Sequence, residues 1–163
     1  MSQLHLPTGR THVMLGCGKA KRRELEDVDT HACGPVPIWR KWPLVDLYTG
    51  NLYLARLKYA RQIGGTLWIV SGFHGFCLPD KVAGWYERDL NDEPSSYRNQ
   101  WQAELSFCAL NSTSPGDRVV VLASGHYAGK WTNVLETAGR IVEWPLEGMQ
   151  MGEQLHWLKE AVA

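Results

Sequence analysis

Two patterns of apolar and polar residues alternate along the chain. Short runs that favour buried strands occupy residues 12–15, 66–70, 118–122 and 140–144. Apolar residues at helical spacing occupy residues 52–63, about 95–109, 131–138 and 151–162. Because parallel strands separated by helices pair through right-handed crossovers, the pattern predicts one α/β domain over residues 1–163. We expect a three-layer sandwich around a mainly parallel four-stranded sheet.

Glycine and serine residues predict where the helices end and begin. Gly64 with Gly65, and later Gly139, end two of the helices, since glycine accepts the left-handed conformation that follows a helix. Ser95 or Ser96 is expected to cap the second helix. The buried side of that helix is predicted to carry Trp101, Leu105, Cys108 and Ala109.

Two long segments, residues 22–50 and 71–96, show neither pattern. Each follows a predicted strand, so both lie at the same edge of the sheet. Connections of this length in a compact domain usually carry function, and ligands bind outside the carboxyl ends of parallel strands. We therefore expect the functional site at this edge.

The charges on the chain balance, with 17 Lys and Arg residues against 17 Asp and Glu residues. Attraction to nucleic acid must therefore come from a local patch, and residues 19–23 form one. Acidic residues follow within 24–29, which weakens the patch for a long polyanion more than for one phosphate or nucleotide. The chain shows neither a signal-peptide pattern nor a run of about eighteen apolar residues, so we expect a soluble cytoplasmic protein without a membrane partner.

Small and polar residues follow each of the four predicted strands. The first strand ends in glycines, which expose backbone N–H groups beside several cations and so favour an anionic ligand. Because the strand ends meet at one edge, we expect these residues to form one pocket. The catalytic candidates are Cys17, Lys21, Asp46, His74 and Glu147. The ligand-binding candidates are Gly16, Gly18, Lys19, Tyr48, Ser71, Gly72, Tyr86, Ser124, Gly125 and His126.

Several of these candidates also have a purely structural interpretation. Cys17, beside lysines, is either a thiolate nucleophile or a small thiol that only packs. Lys21 pairs with a phosphate or carboxylate, acts as an amine nucleophile, or is solvated at the surface. His74 moves a proton near neutral pH or hydrogen-bonds loop backbone. His126 orients a ligand or caps a helix.

Tryptophan is abundant, at eight residues. Trp39, Trp42 and Trp85 fall in predicted loops. An aromatic side chain there either lines the pocket of a flat ligand or fills a core.

The residue types that bind zinc are present but widely spaced. His31 and Cys33, with Cys17 and Cys77, match no finger or ribbon pattern. The four cysteines contain no C-x-x-C pair, which favours reduced thiols. The glycines complete neither the dinucleotide nor the Walker motif. We therefore predict neither a metal nor an organic cofactor.

A series of short motifs keeps its order along nearly the whole chain. It comprises Cys-Gly-Lys-Ala-Lys at 17–21, Asp-Leu-Tyr-Thr at 46–49, Ile-Val-Ser-Gly-Phe-His-Gly-Phe at 69–76, Tyr86 with Asp89-Leu90, and Pro-Leu-Glu-Gly at 145–148 with Gly152. The series resembles an uncharacterised domain family of small proteins from phages, bacteria and archaea. More distantly, that family is similar to the peroxide-stress proteins. It is also similar to the Cys-x-x-x-Lys domain of archaeal transfer-RNA archaeosine enzymes.

The resemblance implies a uracil-DNA glycosylase-like fold. It makes Cys17 and Lys21 the motif cysteine and lysine. The residues implied around the same pocket are Asp46, Tyr48, Ser71 and His74. The chain lacks the prolines that flank the archaeosine motif, and residues 24–43 look particular to this protein.

The leading hypothesis is an enzyme that acts on a nucleobase, nucleoside or nucleotide, free or within nucleic acid, at the base or its N-glycosidic bond. In this hypothesis Lys19 and Lys21 hold phosphate, and aromatic side chains stack on the base. The residues that would stack on the base are Tyr48, Trp85 and Tyr86. The residue that would move a proton is Asp46, His74 or Glu147. The alternative is a non-catalytic nucleotide- or DNA-binding accessory protein of phage or defence systems. A purely structural domain explains the gathered polar residues least well.

Overall fold

The computed structural model describes residues 9–31 and 33–163. The amino terminus, where we expect no signal peptide, and Ala32, between two candidate zinc ligands, lie outside the described residues. The strands are β1 Thr11–Gly16, β2 Leu25–Asp29, β3 Val36–Trp39, β4 Trp42–Pro43, β5 Thr66–Ser71, β6 Gly75–Cys77, β7 Val82–Ala83, β8 Arg118–Leu122 and β9 Ile141–Glu143. The α-helices are α1 Leu44–Leu47, α2 Asn51–Ile63, α3 Ser95–Ser112, α4 Lys130–Thr137 and α5 Met151–Ala161.

The central sheet has the strand order β6-β5-β1-β8-β9. The four predicted strands are its four parallel members, β5, β1, β8 and β9. The predicted count of four is wrong, because β6 adds a fifth, antiparallel strand at the edge. This strand has only three residues and begins at Gly75, whose φ is +71°, so no alternating pattern marks it in the sequence.

Helices cover both faces of the sheet, as expected for alternating strands and helices. The side chains of Val13 and Leu15 pack into one core, whereas Met14 between them packs into the other. Successive residues of a strand face opposite sides, so β1 serves both layers. The first core includes α2 and α5, and the second includes α3 and α4.

The order of the parallel strands places a reversal between β1 and β8. The chain passes from β1 to β5 on one side and then to β8 on the other side of β1. In such sheets a crevice opens outside the carboxyl ends of the two strands that flank the reversal. The residues after β1 and β8 therefore occupy the position where a ligand site is expected.

The helix ends agree with the predicted glycines but not with the predicted serine cap. Gly64 and Gly139 follow α2 and α4 with φ values of +75° and +86°. Helix α3 begins at Ser95, but its N-cap is Pro94, so no serine side chain caps it. Cys108, predicted to be buried, is exposed, because the buried stripe of α3 runs at intervals of four through 101, 105 and 109.

The two segments predicted to be irregular contain small sheets. Strands β2 and β3 form a hairpin, and β4 pairs with β7. Four of the five residues of β2 are exposed, so the hairpin has no continuous apolar run that a sequence pattern can detect.

A buried histidine–aspartate pair joins β1 to the turn before β8. The Nε2 atom of His12 lies 3.1 Å from Oδ2 of Asp117, and Trp68 donates from Nε1 to Nδ1 of His12 at 3.1 Å. Asp117 also accepts from the backbone N–H groups of Arg10 and Ser114. This network lies at the amino ends of the strands, opposite the predicted site.

Among residues 9–31 and 33–163, the helices are too short or too polar to cross a membrane.

Candidate functional site at the carboxyl ends of β1 and β8

A cleft of about 540 Å³ opens at the carboxyl ends of β1 and β8. This volume lies in the range of roughly 300–1,000 Å³ that is usual for small-molecule sites. The loop after β1, the first turns of α2, the segment before α3, the turn after β8 and helix α5 all contribute to its wall. The lining residues are Gly16 to Ala20, Gly50 to Tyr53, Arg56, Arg88, Asp89, Asn91, Ser124, Gly125, Tyr127, Met151 and Leu155.

The predicted site residues divide into three groups in the structure. Those that line the cleft are Gly16, Cys17, Gly18, Lys19, Ser124 and Gly125. Those that adjoin Cys17 behind the wall of the cleft are Lys21, Tyr48, Ser71, Gly72 and Tyr86. Those that lie elsewhere are Asp46, His74, His126 and Glu147. The structure therefore brings together only some of the residues that were predicted to form one pocket.

Cys17 lies at the centre of the first two groups. Burial raises the pKa of the Cys17 thiol. The N–H group of Gly72, the Lys21 ammonium and the hydroxyls of Tyr127 and Tyr86 act in the opposite direction without overcoming burial. A raised pKa keeps Cys17 a neutral thiol at pH 7, which favours the interpretation of a packed thiol over that of an activated thiolate.

A chain of hydroxyl groups lies behind Cys17. The Tyr86 hydroxyl is 2.7 Å from the Tyr48 hydroxyl and 2.9 Å from Oγ of Ser71. Ser71 in turn accepts from the backbone N–H groups of Phe73 and His74. Burial raises the pKa values of both tyrosines, so both remain protonated at neutral pH. The chain fixes the turn after β5 against the segment that carries Tyr86.

Lys21 is packed against aromatic rings rather than extended into the cleft. Its Nζ lies 4.4 Å from the centroid of the Tyr86 ring and 5.9 Å from that of Tyr48, and it donates to the carbonyl of Lys19. Burial lowers the pKa of Lys21, whereas nearby Cys17 and Asp89 raise it. The ammonium is thus held next to Cys17 by cation–π contacts.

The glycines of the first loop serve close packing. A Cβ atom at Gly16 would lie 2.9 Å from Cβ of Ala123, and one at Gly18 would lie 3.3 Å from Cβ of Tyr53. The sequence predicts exposed backbone N–H groups in this loop, but that of Cys17 donates to the Val70 carbonyl at 2.9 Å. The loop therefore packs closely at the wall of the cleft, and one of its N–H groups is already bonded to β5.

The arginines that follow this loop contact tryptophans. Arg23 lies between Trp39 and Trp85, with distances of 5.0 Å and 4.4 Å from its Cζ to the ring centroids. Arg22 lies over Trp42 at 4.7 Å. Trp42 packs against the first core, as one of the two predicted alternatives has it, and Trp39 and Trp85 hold Arg23 between them. None of the three lines the cleft, and two cations of the basic patch are used in these contacts.

The four remaining candidates lie away from the cleft. Asp46 is exposed on α1, and Glu147 is exposed beyond β9. His126 is exposed, and its carbonyl accepts from Gln102. The His74 ring contacts Phe73 and Tyr86, and its Nε2 is buried without a partner among the described residues. Burial, reinforced by the charge of Lys81, lowers the pKa of His74, so its imidazole is neutral at pH 7.

Several residues of the cleft were missed from the sequence. Asp89 accepts from the backbone and side chain of Asn91, and the Tyr127 hydroxyl lies 3.4 Å from its Oδ1. Tyr127 also accepts from the N–H of Leu90 at 3.1 Å. Asp89 stands in one of the motifs of the series, and Tyr127 directly follows the candidates Ser124 to His126. Arg56, inside α2, carries no signal that separates it from a solvated helix residue.

The fold and cleft define a mainly parallel α/β domain with a ligand-sized site at the reversal of its sheet. The chain belongs to the family of unknown function DUF6884, whose model matches residues 32–160. The matched region includes Arg56 and Asp89, whereas Cys17 and Lys21 precede it. A search of the curated proteins found no match.

Proposed function

We propose that the protein is an enzyme that acts on a nucleobase, nucleoside or nucleotide, free or within nucleic acid, at the base or its N-glycosidic bond. The observation that carries the proposal is the composition of the cleft, where aromatic, cationic and carboxylate side chains converge. Tyr127 offers aromatic surface, Lys19 and Arg88 offer positive charge, and Asp89 offers a carboxylate. An aromatic surface can stack on a base, a cation can bind a phosphate, and a carboxylate can move a proton.

Asp89 replaces the predicted candidates as the group that moves a proton. Hydrolysis of an N-glycosidic bond adds water to the anomeric carbon, breaks the carbon–nitrogen bond and places a proton on the leaving base. A carboxylate beside the sugar accepts the proton of the attacking water and stabilises positive charge on the sugar. Asp89 lines the cleft, whereas Asp46, His74 and Glu147 do not.

The test is a search for base chemistry with a defined panel of substrates. The protein is incubated with nucleosides, nucleoside monophosphates and short oligonucleotides, and released or altered bases are detected by mass spectrometry. We expect Asp89→Asn to lower the rate roughly 100-fold or more, as removal of a general acid or base does. Asp92→Asn is the matched control, because Asp92 is exposed in the same turn and does not line the cleft. No change in any substrate, or equal losses in both variants, would contradict the proposal.

A non-catalytic nucleotide-binding role is the second candidate. It is favoured by the neutral Cys17 thiol and by the position of His74 outside the cleft. Such a protein retains its ligand chemically unchanged after long incubation. If the ligand is a nucleic acid, its affinity falls steeply with added salt, since several phosphates release counterions on binding.

A further inference from the structure

Arg56 is a buried cation without an acidic partner. Its side chain lines the cleft although the residue is only 5% exposed. Its Nη2 donates to Oγ of Ser124 at 3.0 Å and to Oε1 of Gln154 at 2.6 Å, and both acceptors are neutral. Its Nε is buried and has no partner within residues 9–31 and 33–163. The ion pairs of this part of the chain do not include Arg56.

A buried charge of this kind is costly unless another charge compensates it. Burial lowers the pKa of Arg56 to about 10, which still leaves the guanidinium protonated at neutral pH. The neutral contacts with Ser124 and Gln154 use one terminal nitrogen and leave Nε as an unused donor. The protein therefore keeps a positive charge at the wall of the cleft, and the charge has no acidic partner among the described residues.

The amino terminus of α2 points to the same kind of ligand. This helix has 13 residues, and its N-cap, Gly50, provides no side chain to satisfy the first N–H groups. Gly50, Asn51 and Leu52 line the cleft together with Arg56. Unsatisfied N–H groups and the helix dipole both favour an anion at this position.

The charge of the cleft agrees with an anionic ligand. Its described lining carries the cations Lys19, Arg56 and Arg88 against the single carboxylate of Asp89. We propose that Arg56 and the amino terminus of α2 form a phosphate-binding subsite, in which the guanidinium supplies the compensating charge and donates a hydrogen bond to a phosphate oxygen. This inference rests on the proposed function where it assigns the subsite to the phosphate of a nucleotide.

The test measures binding of two probes, inorganic phosphate and a nucleoside 5′-monophosphate, by calorimetry. Arg56→Gln should raise the Kd for both probes roughly tenfold or more, because a charge-assisted hydrogen bond is lost. Arg56→Lys should retain part of the affinity. Arg61→Gln is the matched control, since it removes the same charge from an exposed position in the last turn of the same helix; it should change the Kd little.

A second measurement uses the unmodified protein and so does not depend on the folding of a variant. The Nε–H resonance of Arg56 in ¹⁵N-labelled protein should shift on addition of phosphate. An unmoved resonance, or an Arg56→Gln variant that binds phosphate as the wild type does, would overturn the subsite. Equal affinity for a nucleoside and its monophosphate would overturn its assignment to a nucleotide.

The experiments distinguish a wrong phosphate subsite from a wrong proposed function. Loss of phosphate binding in Arg56→Gln supports the subsite even when no base chemistry occurs on any substrate. Base chemistry that proceeds with equal kcat/KM in wild type and Arg56→Gln, on phosphorylated substrates, overturns the subsite and leaves the enzyme proposal standing.

Discussion

The hydroxyl chain behind Cys17 can be tested by removing one oxygen atom. In Tyr86→Phe, Ser71 keeps its two backbone donors, but the Tyr48 hydroxyl loses the hydrogen bond that it makes within the described residues. Tyr48 is only 1% exposed, so water does not replace the lost partner. The variant therefore leaves one buried hydroxyl unsatisfied.

The expected loss of stability follows from the one unsatisfied hydroxyl of Tyr48. An unsatisfied buried hydroxyl costs about 1–3 kcal/mol, and a domain of this size loses roughly 2–4 °C in Tm for each kcal/mol. We expect Tyr86→Phe to lower the Tm by roughly 2–12 °C. Tyr48→Phe should cost less, because the Tyr86 hydroxyl keeps Ser71 as a partner.

The assay is thermal and urea unfolding of the two single variants, the double variant and a control. Because removal of both partners leaves no orphaned group between them, Tyr48→Phe with Tyr86→Phe should be no less stable than Tyr86→Phe alone. Tyr59→Phe is the control, since Tyr59 is partly buried and its hydroxyl makes no hydrogen bond among the described residues. Strictly additive losses from the two substitutions, or no loss in Tyr86→Phe, would refute the hydrogen-bond chain.

Three further predictions concern other parts of the molecule. Desolvation raises the pKa of Cys17, which is only partly exposed, so iodoacetamide at pH 8 should alkylate it more slowly than the exposed Cys33 and Cys108. Peptide mass spectrometry measures the rates, and equal rates would contradict the raised pKa. Gly65→Ala should lower the free energy of unfolding, measured in urea, by more than roughly 3 kcal/mol, because the added Cβ would lie 2.3 Å from a backbone oxygen of β1. Gly116→Ala is the control, since Gly116 has a similar positive φ but open space around it, and it should cost only about 1–2 kcal/mol. Burial acts to raise the pKa of Asp117, but two backbone N–H donors and its histidine partner hold it below its usual value. The carboxylate therefore stabilises the fold at neutral pH, and the stability gap between wild type and Asp117→Asn should close only as pH falls below about 4; a gap that already closes near pH 6 would contradict this sign.

The parallel strands and long helices could be predicted because their apolar patterns report burial directly. Strand β1 packs on both sides, and its sequence is apolar at consecutive positions. Strands β2, β3 and β6 could not be predicted in this way. They are short or exposed, and their pairing depends on turns and on contacts between arginine and tryptophan that are distant in sequence.

The position of the cleft could be predicted, but the residues that line it could not. Neighbouring strand ends meet in the cleft, and β1 and β8 are neighbours. Two strand ends at the same edge of the sheet can still lie far apart along that edge. Glu147 follows β9 at the far side of the sheet, and His74 precedes the outer strand β6, so both leave the cleft.

Arg56 lines the cleft although the sequence did not mark it as a candidate. An arginine within a helix ordinarily indicates the solvated face, and Arg56 resembles one in the sequence. It becomes buried only because α2 packs on α5, where Gln154 accepts its hydrogen bond. That tertiary contact has no local signature, so the most unusual charge of the cleft is visible only in the fold.

A titration of ¹⁵N-labelled protein with nucleoside monophosphates, followed by NMR, tests the nucleotide site most directly. We expect chemical-shift changes to concentrate on the loop after β1, the amino terminus of α2 and the segment around Asp89. Changes confined to the β2–β3 hairpin, or no change with any nucleotide, would contradict a nucleotide site in the cleft.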